Sequence, residues 1–284
     1  MSEMQIIHIG DANYPSALLD LKDPPKQLYV KGNLDLLNRP MVSIVGTRDC
    51  TRYGLMVAKE LAEHCAEAGF VIVSGLAEGI DAAAHQGAKG ATIAVLGNGL
   101  EIYYPVINQD LQKEIGTTGL LISEYPPKFR GGKTTFPQRN RIVAALGRAV
   151  VAVEADLRSG TLITVHKAQE LNRDVYAVPG NINCYASQGT NDLIANHGAR
   201  MVTSAIDLVK NLTGRSGKSK TNNQPKQISL EHQNILNLLK TDEMHFDDIV
   251  LASGLSVPQL STLLTNMEMI GLIEKLPGNY FVAK

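Results

Sequence analysis

The 284-residue chain is 44% hydrophobic and carries 27 Lys and Arg against 28 Asp and Glu, enough apolar length for one large core and a small second module. A net charge of -1 decides nothing about nucleic acid, because a bulk average hides local clustering of sign. Cys50, Cys65 and Cys184 are odd in number, widely spaced and lack C-x-x-C spacing, which suggests neither a disulfide framework nor a zinc site and reads as reduced thiols; no leader pattern or bilayer-length apolar run is present, so a cytoplasmic protein without a membrane segment is expected.

In chain order, residues 1–40 read as an N-terminal strap: NYPSALLDLKDPPKQLYVKGN holds paired prolines and one short LYV strand and cannot make a core alone. From Met41 to Leu212 short Val- and Ile-rich runs, VSIVG, VIVSG, TIAVLG, LLISE, AVVAVEA, DVYAVPG and RMVT, alternate with helical patterns such as Tyr53–Ala68. Runs of that kind suit parallel strands covered on both faces, so the rhythm predicts an α/β, Rossmann-like doubly wound sheet. Residues 213–227, TGRSGKSKTNNQPKQ, carry Arg215, Lys218, Lys220 and Lys226 with no acid and nothing apolar to bury; a flexible basic linker is expected. Residues 228–284 give three amphipathic helices and a hairpin turning at Pro277, Gly278 and Asn279, a winged-helix-like module. Its presumed recognition helix, SVPQLSTLLTNMEM, holds no Lys or Arg, which disfavours duplex reading.

Candidate chemistry gathers at the strand ends. Gly46 with Arg48, and Ser74 with Gly75, place small residues and a guanidinium fork where phosphate can approach helix starts. No G-x-G-x-x-G follows the first strand, and no Walker A, H-E-x-x-H or G-x-S-x-G occurs, so the commonest coenzyme, nucleotide-hydrolysing, peptidase and hydrolase signatures are missing and no cofactor or metal is expected. Asp81 and His85, four apart, read as a helical hydrogen bond. The loop Tyr125–Arg141 concentrates Lys128, Arg130, Lys133, Arg139 and Arg141 and interleaves Tyr125, Phe129 and Phe136, the combination that holds unpaired strands by phosphate and stacked base. Arg139, Asn140 and Arg141 read as the start of the helix PQRNRIVAALG, where cations oppose the dipole unless an anion or acidic partner is near. Ser159 and Gly160, entering another helix, serve equally as an anion turn or a simple cap.

The stretches VSIVGTR, SGLAEGIDAAAH, TIAVLGNGLEIYYP, FPQRNRIVAALG, VEADLRSGTLIT and AVPGNI, in that order, resemble the DNA-processing protein A family, also called DprA or Smf. The resemblance implies a non-enzymatic protein that binds single-stranded DNA, works as a homodimer and hands the strand to a RecA-type recombinase in natural transformation. Residue by residue it implies DNA contacts at Arg48, Lys133, Phe136, Arg139 and Arg141, with Lys133 on phosphate and Phe136 on a base. Lys89 is an approximate counterpart of a further family lysine, and Leu193 with Ile194 fall where the family's dimer surface lies. The alternative expectation is a nucleotide-binding or nucleotide-hydrolysing Rossmann-like enzyme, because SGLAEGID looks like a phosphate turn.

Overall fold

The computed structural model describes residues 3–214, 230–239, 243–269 and 272–283. The chain divides into two compact units, Met1–Ser216 and Gly217–Lys284.

The first unit is built from β1 (Gln5–His8), β2 (Gln27–Gly32), β3 (Met41–Val45), α1 (Arg52–Glu67), β4 (Val71–Ser74), α2 (Ile80–Gly87), β5 (Thr92–Leu96) and α3 (Gln109–Thr118). It continues through β6 (Leu120–Ser123), α4 (Thr135–Leu146), β7 (Ala149–Ala152), α5 (Gly160–Glu170), β8 (Asp174–Ala177), α6 (Gln188–Asn196), β9 (Arg200–Met201) and α7 (Ala205–Thr213). One sheet runs β1-β2-β6-β5-β4-β3-β7-β8-β9. From β6 to β9 every pairing is parallel. The chain leaves β6 at one end of this parallel array and re-enters at β7, beside β3, so the switch in strand order lies between β3 and β7, where ligands of open α/β sheets bind.

Alternation along the strands sends side chains to two cores. Val42, Ile44 and Ile72 pack with α1, α2 and α7, while Met41, Val45, Val71 and Val73 pack with α4 and α5 on the other face. Helix α1 shows why the sequence complies: Thr51 caps it by accepting from the Gly54 N–H, and Gly54, Ala58, Leu61, Ala62 and Cys65 recur at helical spacing and are buried.

The expected strap goes further than packing on the domain. β1 and β2 pair antiparallel with each other, and β2 pairs antiparallel with β6, Val30 facing Ile122. Residues 5–32 therefore extend the sheet itself, and Ile7, Leu18, Leu28 and Val30 enter the core beside Ile142–Leu146. The expected linker lies outside the described residues from position 215 onward, as do Arg215, Lys218, Lys220 and Lys226; Thr213 closes α7 and Gly214 takes the left-handed cap.

The second unit holds α8 (Leu230–Leu238), β10 (Met244–His245), α9 (Phe246–Ser253), α10 (Val257–Met269), β11 (Ile273–Leu276) and β12 (Tyr280–Ala283). Ile235, Ile249, Leu260, Leu264, Met267, Ile273 and Phe281 form its core. The hairpin turns where the sequence placed it, with Gly278 and Asn279 at positive φ. Strand β10, too short to show a period, pairs with β12.

Candidate nucleic-acid interface

At the carboxyl edge of the sheet an open cleft of about 750 Å³ is lined from four sides: the turn after β3, the turn after β4, the approach to α4 and the loop between β7 and α5. Gly46, Arg48, Gly75, Lys133, Phe136, Arg139, Asn140, Ser159 and Gly160 all face it. Ser74 and Arg141 do not.

The Arg48 turn is fixed from behind by Glu154, a fully buried carboxylate at the end of β7. Its oxygens accept from the Thr51 N–H (2.8 Å) and the Thr51 hydroxyl (2.5 Å), and its carbonyl accepts from the Thr47 N–H (2.8 Å). Gly54 is glycine because a Cβ would collide with this carboxylate. Arg48 therefore projects, exposed, from a turn whose two ends are tied down.

Arg139 is 5% exposed and forms the floor of the cleft. Its guanidinium donates to the carbonyls of Gly75 and Val95 and to Asn140 Oδ1. Burial holds its pKa down to about 10, and the Asp81 charge pulls the other way. Asp81, also buried, accepts from the N–H groups of Gly75 (3.1 Å) and Ala77 (3.4 Å), and burial raises its carboxyl above the usual range. The Gly75 peptide is thus held by its N–H on Asp81 and its carbonyl on Arg139. The bare Cα of Gly75 makes room for that guanidinium, and Gly46 makes room for Ile80, so both glycines first serve packing.

Helix α4 begins at Thr135, so Arg139 and Arg141 stand in its second turn instead of at its start, and the dipole argument for a ligand there fails. Their carboxylate neighbours are internal: Asp81 for Arg139, and for Arg141 a two-oxygen contact with Glu124 at 2.7 Å. Ser74 is fully buried and gives its hydroxyl proton to the Ile44 carbonyl. Lys89 pairs with Glu63 on the exposed surface, away from the cleft lining. Asp81 and His85 do not bond to each other; His85 Nδ1 meets Thr92 Oγ1 instead. Leu193 is 2% exposed and belongs to the core, with Ile194 packed against it; burial removes Leu193 from any surface available to a partner.

Lys133 is exposed between two fixed points, Gly131 packed on Gly97 and a turn in which Gly132 donates to Thr135 Oγ1 at 2.9 Å. Phe136 lies half-buried over Gly97, its ring stacked on Tyr104 at 5.1 Å between centroids. Ser159 caps α5 by accepting from the Thr161 N–H. Two further lining residues were not expected from the sequence. Tyr104 was visible only as half of an aromatic pair in EIYYP. Arg158 sits on an Asp156 turn, with Asp156 Oδ1 accepting its N–H at 2.6 Å, and its side chain is exposed to the cleft; the signal was a cation immediately before a cap.

The lining holds Arg48, Lys133, Arg139 and Arg158 against Asp49, Asp81 and Asp156. Asp81 faces Arg139, and Asp156 is turned onto a backbone N–H. Three exposed cations, with Asp49 the one exposed carboxylate among them, remain around helix starts that are themselves electropositive, beside a stacked aromatic pair. Such a site can neutralise several phosphates and offer a ring face to a base.

The profile of the family described as DNA recombination-mediator protein A matches residues 5–213, and that of the DprA winged helix domain matches residues 219–279. DNA processing protein DprA of Streptococcus pneumoniae is 47% identical over 204 residues, 71% of this chain and 72% of that protein. Protein Smf of Synechocystis is 34% identical over 314 residues, 96% of this chain and 79% of that protein. A crystal structure of the S. pneumoniae DprA superimposes with a TM-score of 0.70 at 45% identity, covering 73% of this chain and 74% of that one. DNA processing protein A of Helicobacter pylori, whose structure describes a single-stranded DNA binding mode, matches with a TM-score of 0.70 at 35% identity over 75% of this chain and 99% of that one. Matches to both family profiles, together covering nearly the whole chain, make it a member of the DprA/Smf family of recombination mediators.

Proposed function

We propose that the cleft holds a single strand of DNA, phosphates on Arg48, Lys133 and Arg158 and a base against Phe136 and Tyr104, and that the protein passes this strand to a RecA-type recombinase. The observation that carries the reading is convergence: nine residues singled out from four separate stretches of sequence face one open crevice at the switch point of the sheet. The single-stranded DNA binding mode described for the H. pylori relative supports the same ligand. The homodimer implied by the family belongs to this proposal, with Ile194 and not Leu193 as the residue nearer the surface.

The cleft reads as a binding surface and not a catalytic one. Asp81 in its lining and Glu154 behind the Arg48 turn are engaged with backbone N–H groups and a cap hydroxyl. Release of free base from a nucleoside monophosphate would overturn that reading.

Fluorescence anisotropy with a single-stranded oligonucleotide across a salt series tests the site. An Arg48→Ala, Lys133→Glu double variant should bind far more weakly and with a shallower salt dependence, about 0.7 less in slope for each phosphate it no longer neutralises. Equal binding by the variant and the parent sinks the assignment.

A further inference from the structure

The amino edge of the sheet, opposite the cleft, carries a second basic site. There an open cavity of about 520 Å³ receives Arg39, Arg148 and Arg173, the residues that lead into β3, β7 and β8. Its walls are otherwise apolar or small, including Pro15, Leu37 and Leu146.

Arginines at this edge have an ordinary explanation, since helices end here and their carbonyls attract cations. Arg39 donates one amino group to the Gly69 carbonyl just after α1, at 3.1 Å. Arg173 donates one to the Ala145 carbonyl near the end of α4, at 3.3 Å, and to Asp20 at 2.6 Å. Capping, however, uses only a fraction of the donors present. The Nε–H of Arg173 is buried and bonded to nothing among the described residues, a state that costs free energy unless an acceptor arrives. Arg148 is exposed and its side chain has no partner among the described residues. Asp20 is the single carboxylate ion-paired with any of the three in the described residues, so two of the three guanidinium charges have no ion-pair partner there.

We propose that this cavity is a binding site for a phosphate-class oxyanion, distinct from the strand-holding cleft. Three guanidinium groups on separate chain segments present more donors than the two oxygens of a carboxylate absorb, whereas a phosphate accepts on three or four oxygens. No aromatic ring lines the cavity among the described residues, so the site reads a phosphate without a base. That chemistry has two sources, free inorganic phosphate or the backbone of a nucleic acid strand.

Amide NMR of the full chain, titrated with sodium phosphate against sodium chloride at constant ionic strength, tests the site itself. Saturable shifts are expected at Gly147, Arg148 and Arg173, and their disappearance in Arg148→Ala, an exposed position on which the fold does not depend. Shifts absent from the parent, or unchanged in that variant, overturn the proposal. The source is then read from an abasic oligonucleotide added to the Arg48→Ala, Lys133→Glu protein. Competition with phosphate for the same amides assigns the site to a strand backbone, and its absence assigns it to the free anion. Because the cleft is disabled in that background, failure at one edge is separable from failure at the other.

Discussion

Arg139 is buried among carbonyls, with the Asp81 charge acting on it, so removing it leaves two buried carbonyls unsatisfied and takes away the cation that favours the buried Asp81 carboxylate. Arg139→Met should cost about 3–5 kcal/mol in denaturant unfolding. Arg158, a cation on the same cleft, is exposed, so Arg158→Ala should leave unfolding unchanged and flatten the salt dependence of oligonucleotide binding by about 0.7. His85 makes the third residue-scale case. Thr92 gives its hydroxyl proton to the Ile72 carbonyl at 2.8 Å and accepts from His85 Nδ1–H at 2.7 Å, while Nε2 has no hydrogen-bond partner among the described residues. Burial, aided by the Arg139 charge, drives the imidazole from 6.5 down to about 3. Between those values the unfolded chain binds the extra proton, so stability is whole above pH 6.5 and drains as pH falls, by at most about 1.4 kcal/mol per pH unit. Asp81, with its pKa raised, contributes the opposite sign. Unfolding titrations of parent and His85→Leu at about pH 7 and about pH 5.5 isolate the histidine: the variant should lose the acid-side slope.

Among elements, the turn between β3 and α1 shows how a strand end becomes a site. Thr51 caps α1 and at the same time ties the turn to Glu154. Thr51→Ala should lower stability by about 2 kcal/mol and weaken oligonucleotide binding although the substituted side chain is not itself on the cleft; unaltered binding would show that Arg48 needs no tether. The strands themselves were legible from Val- and Ile-rich runs such as VSIVG and AVVAVEA, because burial on both faces leaves no other composition. The cleft was legible as far as local sequence carries it: Gly46, Arg48, Lys133 and Phe136 stood at strand ends or in a basic aromatic loop. Tertiary facts were not. That Arg139 is a floor and Arg48 a wall depends on Asp81, Gly75 and Val95, and the two carbonyls that Arg139 meets lie 44 and 64 residues away from it. The start of α4 was misplaced because Thr135 and Phe136, poor helix formers, are held in the first turn by Gly132 and the packing on Gly97. Leu193 showed the same limit: the family resemblance placed it near a dimer surface, whereas the domain's own core covers it.

For the molecule as a whole, the distinction between core and surface sets what a dimerisation experiment can report. Leu193→Arg places a charge in the main core and should yield unfolded protein by circular dichroism instead of a folded monomer. Sedimentation of Ile194→Arg is the cleaner measure of assembly, since that side chain is only partly covered. The two edges of the sheet also divide the charge: exposed cations at the carboxyl edge line the cleft, while at the amino edge exposed Arg148 and half-buried Arg39 and Arg173 line the second cavity. Finally, the pairing of β2 with β6 joins residues near 30 to residues near 122. On the ribosome the β1–β2 pair is made first and then waits through some ninety further residues for the strand it must sit beside. Until β6 emerges, Leu28 and Val30 have no main sheet to join, so the β1–β2 pair finds its place only once the middle of the domain has been made.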